Sequence, residues 1–220
     1  MFQTIINAWK IADLRKKILY TLFVILLFRI GANIPVPFVD IGESGLIESG
    51  TSTFLNYLNM MTGDAFNYGT IFAMSITPYI NASIIMQLLA VAIPALEKLQ
   101  KEGEEGRKKI AAITRYVAVA LGLLQSTAYY VFIRNRGLLS KMDDGTAFTG
   151  FFAVFQAITI ILCFTAGTAL IMWLGEQVNQ KGIGNGISII LFAGIVARIP
   201  TEAITLFSPT RGYPAKNEIY

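Results

Sequence analysis

Long apolar stretches separated by short polar segments dominate this chain. A helix that crosses a membrane core of about 30 Å needs about 20 apolar residues, and five stretches approach that length. They are residues 18–34, 71–96, 110–133, 151–174 and 183–200. None has the alternating pattern of barrel strands. Since only helices and closed barrels span membranes, the pattern predicts an all-α integral membrane fold with five transmembrane helices.

Composition supports a membrane protein and argues against several kinds of chemistry. Apolar residues make up 54% of the 220 residues and charged residues 15%, compared with about 25% in an average soluble domain. The single cysteine, Cys163, excludes an internal disulfide. The absence of histidine removes the commonest metal ligand and proton shuttle. We therefore expect no metal site and no cofactor.

Lysine and arginine predict how the chain is oriented. Cytoplasmic loops of membrane proteins carry an excess of these residues. With the N-terminus inside, the three inside segments (1–17, 97–109 and 175–182) carry ten and the three outside segments carry five. The count predicts a cytosolic basic N-terminus at 1–17, a cytosolic loop at 97–109 and an external tail at 201–220.

Between the first two predicted spans lies an apolar segment, FLNYLNMMTGDAF at residues 54–66, that is too short and too polar to span. Leu55, Leu58 and Met61 recur at helical spacing within it. A half-helix folded back into a cavity between spans fits this pattern, because protein or water then surrounds the non-spanning backbone. A helix lying at the outer interface fits it equally well.

Two predicted spans carry branched apolar residues at every fourth position. These residues are Ile76, Ile80 and Ile84 in the second span, and Ile187, Leu191 and Ile195 in the fifth. Polar residues accompany the first stripe: Thr77, Asn81, Ser83 and Gln87. These polar groups have two explanations. They either make packing contacts with neighbouring helices, or they line a helix boundary that can open beside an isoleucine stripe that faces a pore.

Enzymatic and ion-coupled functions find little support. None of the five predicted spans has an aspartate or glutamate near its middle, where proton- or sodium-coupled carriers usually place one. The protease motifs G-x-S-x-G and H-E-x-x-H are absent. These absences argue against an ion-coupled carrier and against an intramembrane protease, and we predict that the protein is not an enzyme.

Four segments resemble the SecY family, the channel subunits of the bacterial Sec protein translocase. They read RIGANIPVP (29–37), ITPYINASIIMQLL (76–89), EKLQKEGEEGRKKI (97–110) and WLGEQVNQKGIGNGISIILFAGIV (173–196). The resemblance extends from about residue 2 to 200. It implies the first half of a ten-helix channel whose two five-helix halves are related as inverted repeats.

The resemblance also implies roles for particular residues. It assigns the apolar pore ring to Ile76, Ile80, Ile187 and Leu191. It assigns a plug helix to about residues 54–68, with Phe54, Leu55, Leu58, Met61 and Phe66 as its apolar residues. It assigns the lateral gate on this side to Asn81, Gln87 and Gln125, although many relatives have serine where this chain has Asn81.

The implied function is passage of unfolded secretory polypeptides across the bacterial plasma membrane, with recognition of signal sequences and sideways release of transmembrane segments into lipid. SecE and SecG would be the small membrane partners. A SecA motor or a ribosome would dock mainly on the second half, which this chain lacks, and no direct contact with nucleic acid is expected. The rival hypotheses are half of an inverted-repeat transporter for small solutes, and a structural membrane anchor.

Overall fold

The computed structural model describes residues 11–41, 45–46, 53–140, 150–200 and 203, without the side chains of residues 53 and 54. The described residues form helices and no strand, in agreement with the predicted all-α class. The helices are α1 (Ala12–Gly31), α2 (Thr53–Thr62), α3 (Thr77–Ala92), α4 (Pro94–Lys101), α5 (Glu104–Asn135), α6 (Phe151–Lys181) and α7 (Gly186–Val196).

Two of these helices, α5 and α6, are long and apolar enough to cross a membrane. The pair α3 and α4 makes a third span within the described residues if the two bent segments count as one. Helix α7 is apolar but has only 11 residues. Helix α1 has 20 residues and includes Asp13, Arg15 and Lys16 in its first turns. The five-span count therefore stays a prediction.

The second predicted span, residues 71–96, is not one continuous helix. Residues 71–76 form turns, α3 begins at Thr77, and the chain bends by 101° between α3 and α4. Pro94 explains the break, because it lacks an N–H to donate and its ring disfavours a helical conformation of the residue before it. Ile93 accordingly has an extended backbone, with φ −108° and ψ 114°.

The charged segment 97–109, predicted as a cytosolic loop, is mostly helical. It contains the end of α4 and the beginning of α5, joined through Gly103, whose φ of 80° suits glycine. Within α4, Lys101 Nζ lies 2.5 Å from Glu97 Oε1. The predicted inside segment 175–182 is also mostly helical, because α6 continues to Lys181.

The described core has two main apolar clusters. The first cluster joins α1, α6, α7 and the turn before α3, through Val24, Phe28, Phe72, Ile76, Ile171, Leu174, Val178 and Ile190. The second cluster joins α5 and α6 to the segments that flank α2, through Val36, Leu46, Phe66, Tyr129, Ile133, Ile160 and Phe164. Both bring residues from distant parts of the sequence together around the candidate site.

Candidate functional site

The four residues expected to form the pore ring lie in or against the first apolar cluster. Ile76 is fully buried in that cluster, and Ile80, Ile187 and Leu191 are half-buried against it. A Cβ built on Gly175 of α6 would lie 3.5 Å from both Ile76 Cδ1 and Ile187 Cγ1. The structure thus brings the four residues together in a packed cluster; their role as a ring stays a prediction.

Both stripes extend from this cluster to more exposed positions. Ile84, the third residue of the first stripe, is 51% exposed, and Ile195, the third residue of the second, is 40% exposed. The third residue of each stripe is therefore more exposed than the first two. The apolar surface left open on α3 also includes Leu88 and Val91.

A glycine- and asparagine-rich turn determines where α7 begins and hence where Ile187 lies. Asn185 caps the helix, because its Oδ1 accepts hydrogen bonds from the backbone N–H groups of Ile187 and Ser188 at 3.0 and 3.4 Å. Asn179 Oδ1 accepts from the N–H of Gly186 at 2.7 Å. A Cβ on Gly186 would lie 2.1 Å from the carbonyl oxygen of Gly175, so only glycine permits this approach.

Helix α2, the candidate plug, packs with its C-terminal end against α7. A Cβ on Gly194 would lie 3.0 Å from the carbonyl oxygen of Met61, and a Cβ on Gly63 would lie 2.8 Å from that of Gly194. The two backbones therefore approach through glycines on both sides. Leu55 packs against the second apolar cluster, whereas the side chain of Phe54 lies outside the described residues.

Hydrogen bonds stabilise the turn that follows α2. Asn59 Nδ2 donates to Asp64 Oδ1 at 2.8 Å, and Asn59 Oδ1 accepts from the N–H of Asn67 at 3.1 Å. Thr62 Oγ1 accepts from the N–H of Phe66 at 3.2 Å. The hydroxyl of Tyr129 on α5 donates to the carbonyl oxygen of Phe66. Residues 59–67 are thus one hydrogen-bonded unit attached to α5.

Two arginines from other parts of the fold reach the same turn. Arg198, just after α7, places its Nε 3.5 Å from Asp64 Oδ2. Arg29 of α1 donates from Nη1 to the carbonyl oxygen of Gly63 at 3.5 Å. The candidate plug is therefore connected to α1, α5 and the end of α7 by polar contacts in addition to apolar packing.

The candidate gate residues divide between two cavities along the α3–α5 boundary. Asn81 and Gln125 line a cavity of about 410 Å³, together with Leu58 and Phe66 of the candidate plug. Gln87 lies on the wall of a separate cavity of about 250 Å³ and donates from Nε2 to Ser83 Oγ at 3.2 Å. The structure brings Asn81 and Gln125 together and leaves Gln87 apart from them.

One charged contact within the helices was missed by the sequence reasoning. Arg115 of α5 places its Nε 2.5 Å from Glu176 Oε1 of α6. Arg115 lies inside a predicted span, where charged side chains are usually paired. Glu176 lies just beyond the predicted end of the fourth span, so a search for an acid near the span ends would have found it.

Comparison with known proteins gives the family. The SecY family model matches residues 70–217. The protein translocase subunit SecY of Streptomyces galbus is 43% identical over 204 residues, which are 91% of this chain and 47% of that protein. The chain belongs to the SecY family. The SecY of Mycobacterium tuberculosis is 39% identical over 219 residues, covering 96% of this chain and 49% of that protein.

The chain spans about half the length of the curated SecY proteins it matches. Among solved structures, it is similar to Sec61 in the canine ribosome–channel complex from the endoplasmic reticulum and to a second structure described as a protein-conducting channel. Each gives a TM-score of 0.57 at 21% identity and covers 86% of this chain and 38% of the other. These similarities establish the SecY/Sec61-like fold.

Proposed function

We propose that this chain is the N-terminal, five-helix half of a protein-conducting channel. Residues 18–200 would form the half-channel that passes unfolded polypeptides and releases transmembrane segments sideways into lipid. The observation that carries the proposal is the packing of two apolar stripes, from α3 and α7, into one cluster beside a short non-spanning helix. Membership of the SecY family supports the same function.

In this proposal Ile76, Ile80, Ile187 and Leu191 form one side of the pore constriction. A narrow apolar ring loses its water when empty, and a dry constriction blocks ions. Branched side chains form no strong directional bonds to a polypeptide, so they would yield to a moving chain of any sequence. The second half of the channel would supply the opposing residues.

Helix α2 and the turn after it act as the plug, spanning about residues 54–68. Its contacts with α7 favour a seated position next to the ring. The seat depends on close backbone packing at Gly194 and on long-range polar contacts that solvent can replace, such as Arg198 with Asp64. Such contacts allow a plug to leave at low cost when a substrate enters.

The lateral gate on this side lies along the α3–α5 boundary. The amides of Asn81 and Gln125 would exchange hydrogen-bond partners in the protein for water or for the substrate when an apolar segment passes between the helices. Gln87 would act further along the same boundary, where it now bonds to Ser83.

The protein would lie in the bacterial plasma membrane with segments 1–17 and 97–109 in the cytoplasm and 201–220 outside. SecE and SecG would be its membrane partners, and SecA or a ribosome would supply the driving force. The Sec61 neighbour solved within a ribosome–channel complex is consistent with such partners. A small-solute transporter has less support, because α3 and α7 carry no charged residue that would bind or couple an ion.

Site-specific crosslinking tests this function. A photoreactive residue at Ile80, in the full-length channel, is expected to crosslink to a secretory polypeptide arrested in transit. The same residue at Leu124, which is 64% exposed on α5, is the matched control and is expected to label lipid. Equal labelling of the arrested chain from both positions, or none from Ile80, would contradict the proposal.

A further inference from the structure

One further cavity has a wall that contains no residue of the proposed ring, plug or gate. It has a volume of about 600 Å³ and lies between the end of α5 and the beginning of α6. Its volume is within the range of about 300–1,000 Å³ that is typical of small-ligand sites. Neither the pore nor the gate, as proposed above, uses any residue of its wall.

The cavity wall combines polar and apolar side chains. Arg134, Tyr130 and Gln156 contribute a guanidinium, a phenol and an amide, while Ile158 and Ile161 contribute aliphatic surface. Among the residues that the structure describes, no aspartate or glutamate contributes to this wall. The arrangement suits an amphiphile with a negatively charged head and an aliphatic tail.

The polar groups are available to a ligand. The Arg134 guanidinium makes no hydrogen bond or ion pair with any other residue in the part of the chain that the structure describes. Tyr130 is 9% exposed, and its hydroxyl likewise has no partner there. Gln156 is 5% exposed and donates from Nε2 to the carbonyl oxygen of Ser140 at 3.1 Å, which holds Ser140, just after α5, against α6.

We propose that this cavity binds one membrane phospholipid, with the phosphate at Arg134 and Tyr130 and an acyl chain along Ile158 and Ile161. Three observations select a lipid. The cavity lies at one end of two helices that are long and apolar enough to span, which places Arg134 at headgroup level. Its cationic group complements a phosphate. Its aliphatic wall continues along α6, whose Phe155 and Leu162 are also exposed. In the proposed orientation this is the outer leaflet.

Native mass spectrometry of the full-length protein, purified and then mixed with defined lipids in detergent, tests the proposal. Phosphatidylglycerol is the probe, and a diacyl glucolipid without phosphate is the comparison lipid. We expect one tightly retained phosphatidylglycerol that the variant Arg134→Gln binds about fivefold more weakly, because a basic residue near a lipid phosphate contributes about 1 kcal/mol.

The variant Arg136→Gln is the matched control. Arg136 lies two residues further along, and its Cζ is 5.3 Å from the centre of the Phe132 ring rather than on the cavity wall. We expect it to retain the lipid as the unmodified protein does. A second variant, Ala153→Leu, places a larger side chain on the cavity wall without changing charge and is expected to reduce retention as well.

Three outcomes would overturn the proposal. The first is equal loss of phosphatidylglycerol from Arg134→Gln and Arg136→Gln. The second is equal retention of the glucolipid by the unmodified protein, which would remove the role of the phosphate. The third is displacement of the bound lipid by inorganic phosphate alone, which would mean that the site recognises a free anion.

Discussion

The contact between Asp64 and Arg198 gives the sharpest test of how the plug is seated. Asp64→Asn removes the negative charge but keeps the oxygen that accepts a hydrogen bond from Asn59 Nδ2. The turn after α2 therefore keeps its internal structure, while its attraction to Arg198 is lost. We expect the variant to fold normally and to release the plug more often.

The size of this effect follows from the geometry. Charges 3.5 Å apart attract by about 1.2 kcal/mol in a dielectric like that of water. Loss of side-chain freedom and of hydration reduces the net contribution of such pairs to about 0.2–1 kcal/mol. The fraction of channels with the plug displaced is thus expected to rise by a factor of about 1.4 to 5.

The assay is the resting ion leak of full-length channels reconstituted in planar bilayers. Asp40→Asn is the matched control, because it removes the same charge from an exposed residue in the same segment between the first two predicted spans. Asp64 and Arg198 are partly exposed, so salt screens their attraction in part, and the ratio of the Asp64→Asn leak to the leak of the unmodified channel should fall as ionic strength increases. A leak equal to that of Asp40→Asn, or a ratio that rises with ionic strength, would refute this account of the seat.

Two further predictions concern the fold and the gate. Gly186→Ala should prevent α7 from packing on α6, because the added Cβ would lie 2.1 Å from the carbonyl oxygen of Gly175. We expect a lower melting temperature and protease cleavage near residue 186. A variant as stable as the unmodified protein would contradict the close approach of the two helices. Asn81→Leu should change the hydrophobicity that a signal sequence needs for secretion. For a given signal sequence we expect the amount transported to change about threefold, since interhelical polar contacts average about 0.6 kcal/mol. Gln87→Leu, in the other cavity, should change it less, and the reverse order would reject the assignment of the gate to the Asn81–Gln125 cavity.

Much of the fold could be predicted from the sequence, because the length of the apolar stretches and local residues such as proline determine where helices form and end. The apolar stretches predicted the α5 and α6 helices. In the structure both helices are longer than these stretches, because polar residues that do not contribute to the apolar pattern continue them. Pro94 was visible in the second stretch, but apolar residues continue on both sides of it. Backbone chemistry at the proline, rather than hydrophobicity, decided where that helix breaks.

The candidate site was less predictable because it depends on contacts between distant segments. The spacing of Ile187 and Leu191 gave a stripe, but only the fold shows that Ile187 meets Ile76 at Gly175. The glycine contact between α2 and α7 likewise follows from tertiary packing, since nothing near Gly63 in sequence points to Gly194. Local patterns identified the residues, whereas their partners required the structure.

The central claim, that the two apolar stripes form a constriction, is tested most directly by ion conductance through channels with a deleted plug. The channel contains both halves, and residues 54–66 are deleted. In this background the double variant Ile80→Ser, Ile187→Ser should have a higher resting ion conductance than the deletion alone, because a polar constriction keeps its water. The control Ile84→Ser, Ile195→Ser changes the two more exposed residues of the same stripes and should raise conductance less. Conductance of the Ile80, Ile187 variant no higher than that of the plug deletion alone would contradict the claim.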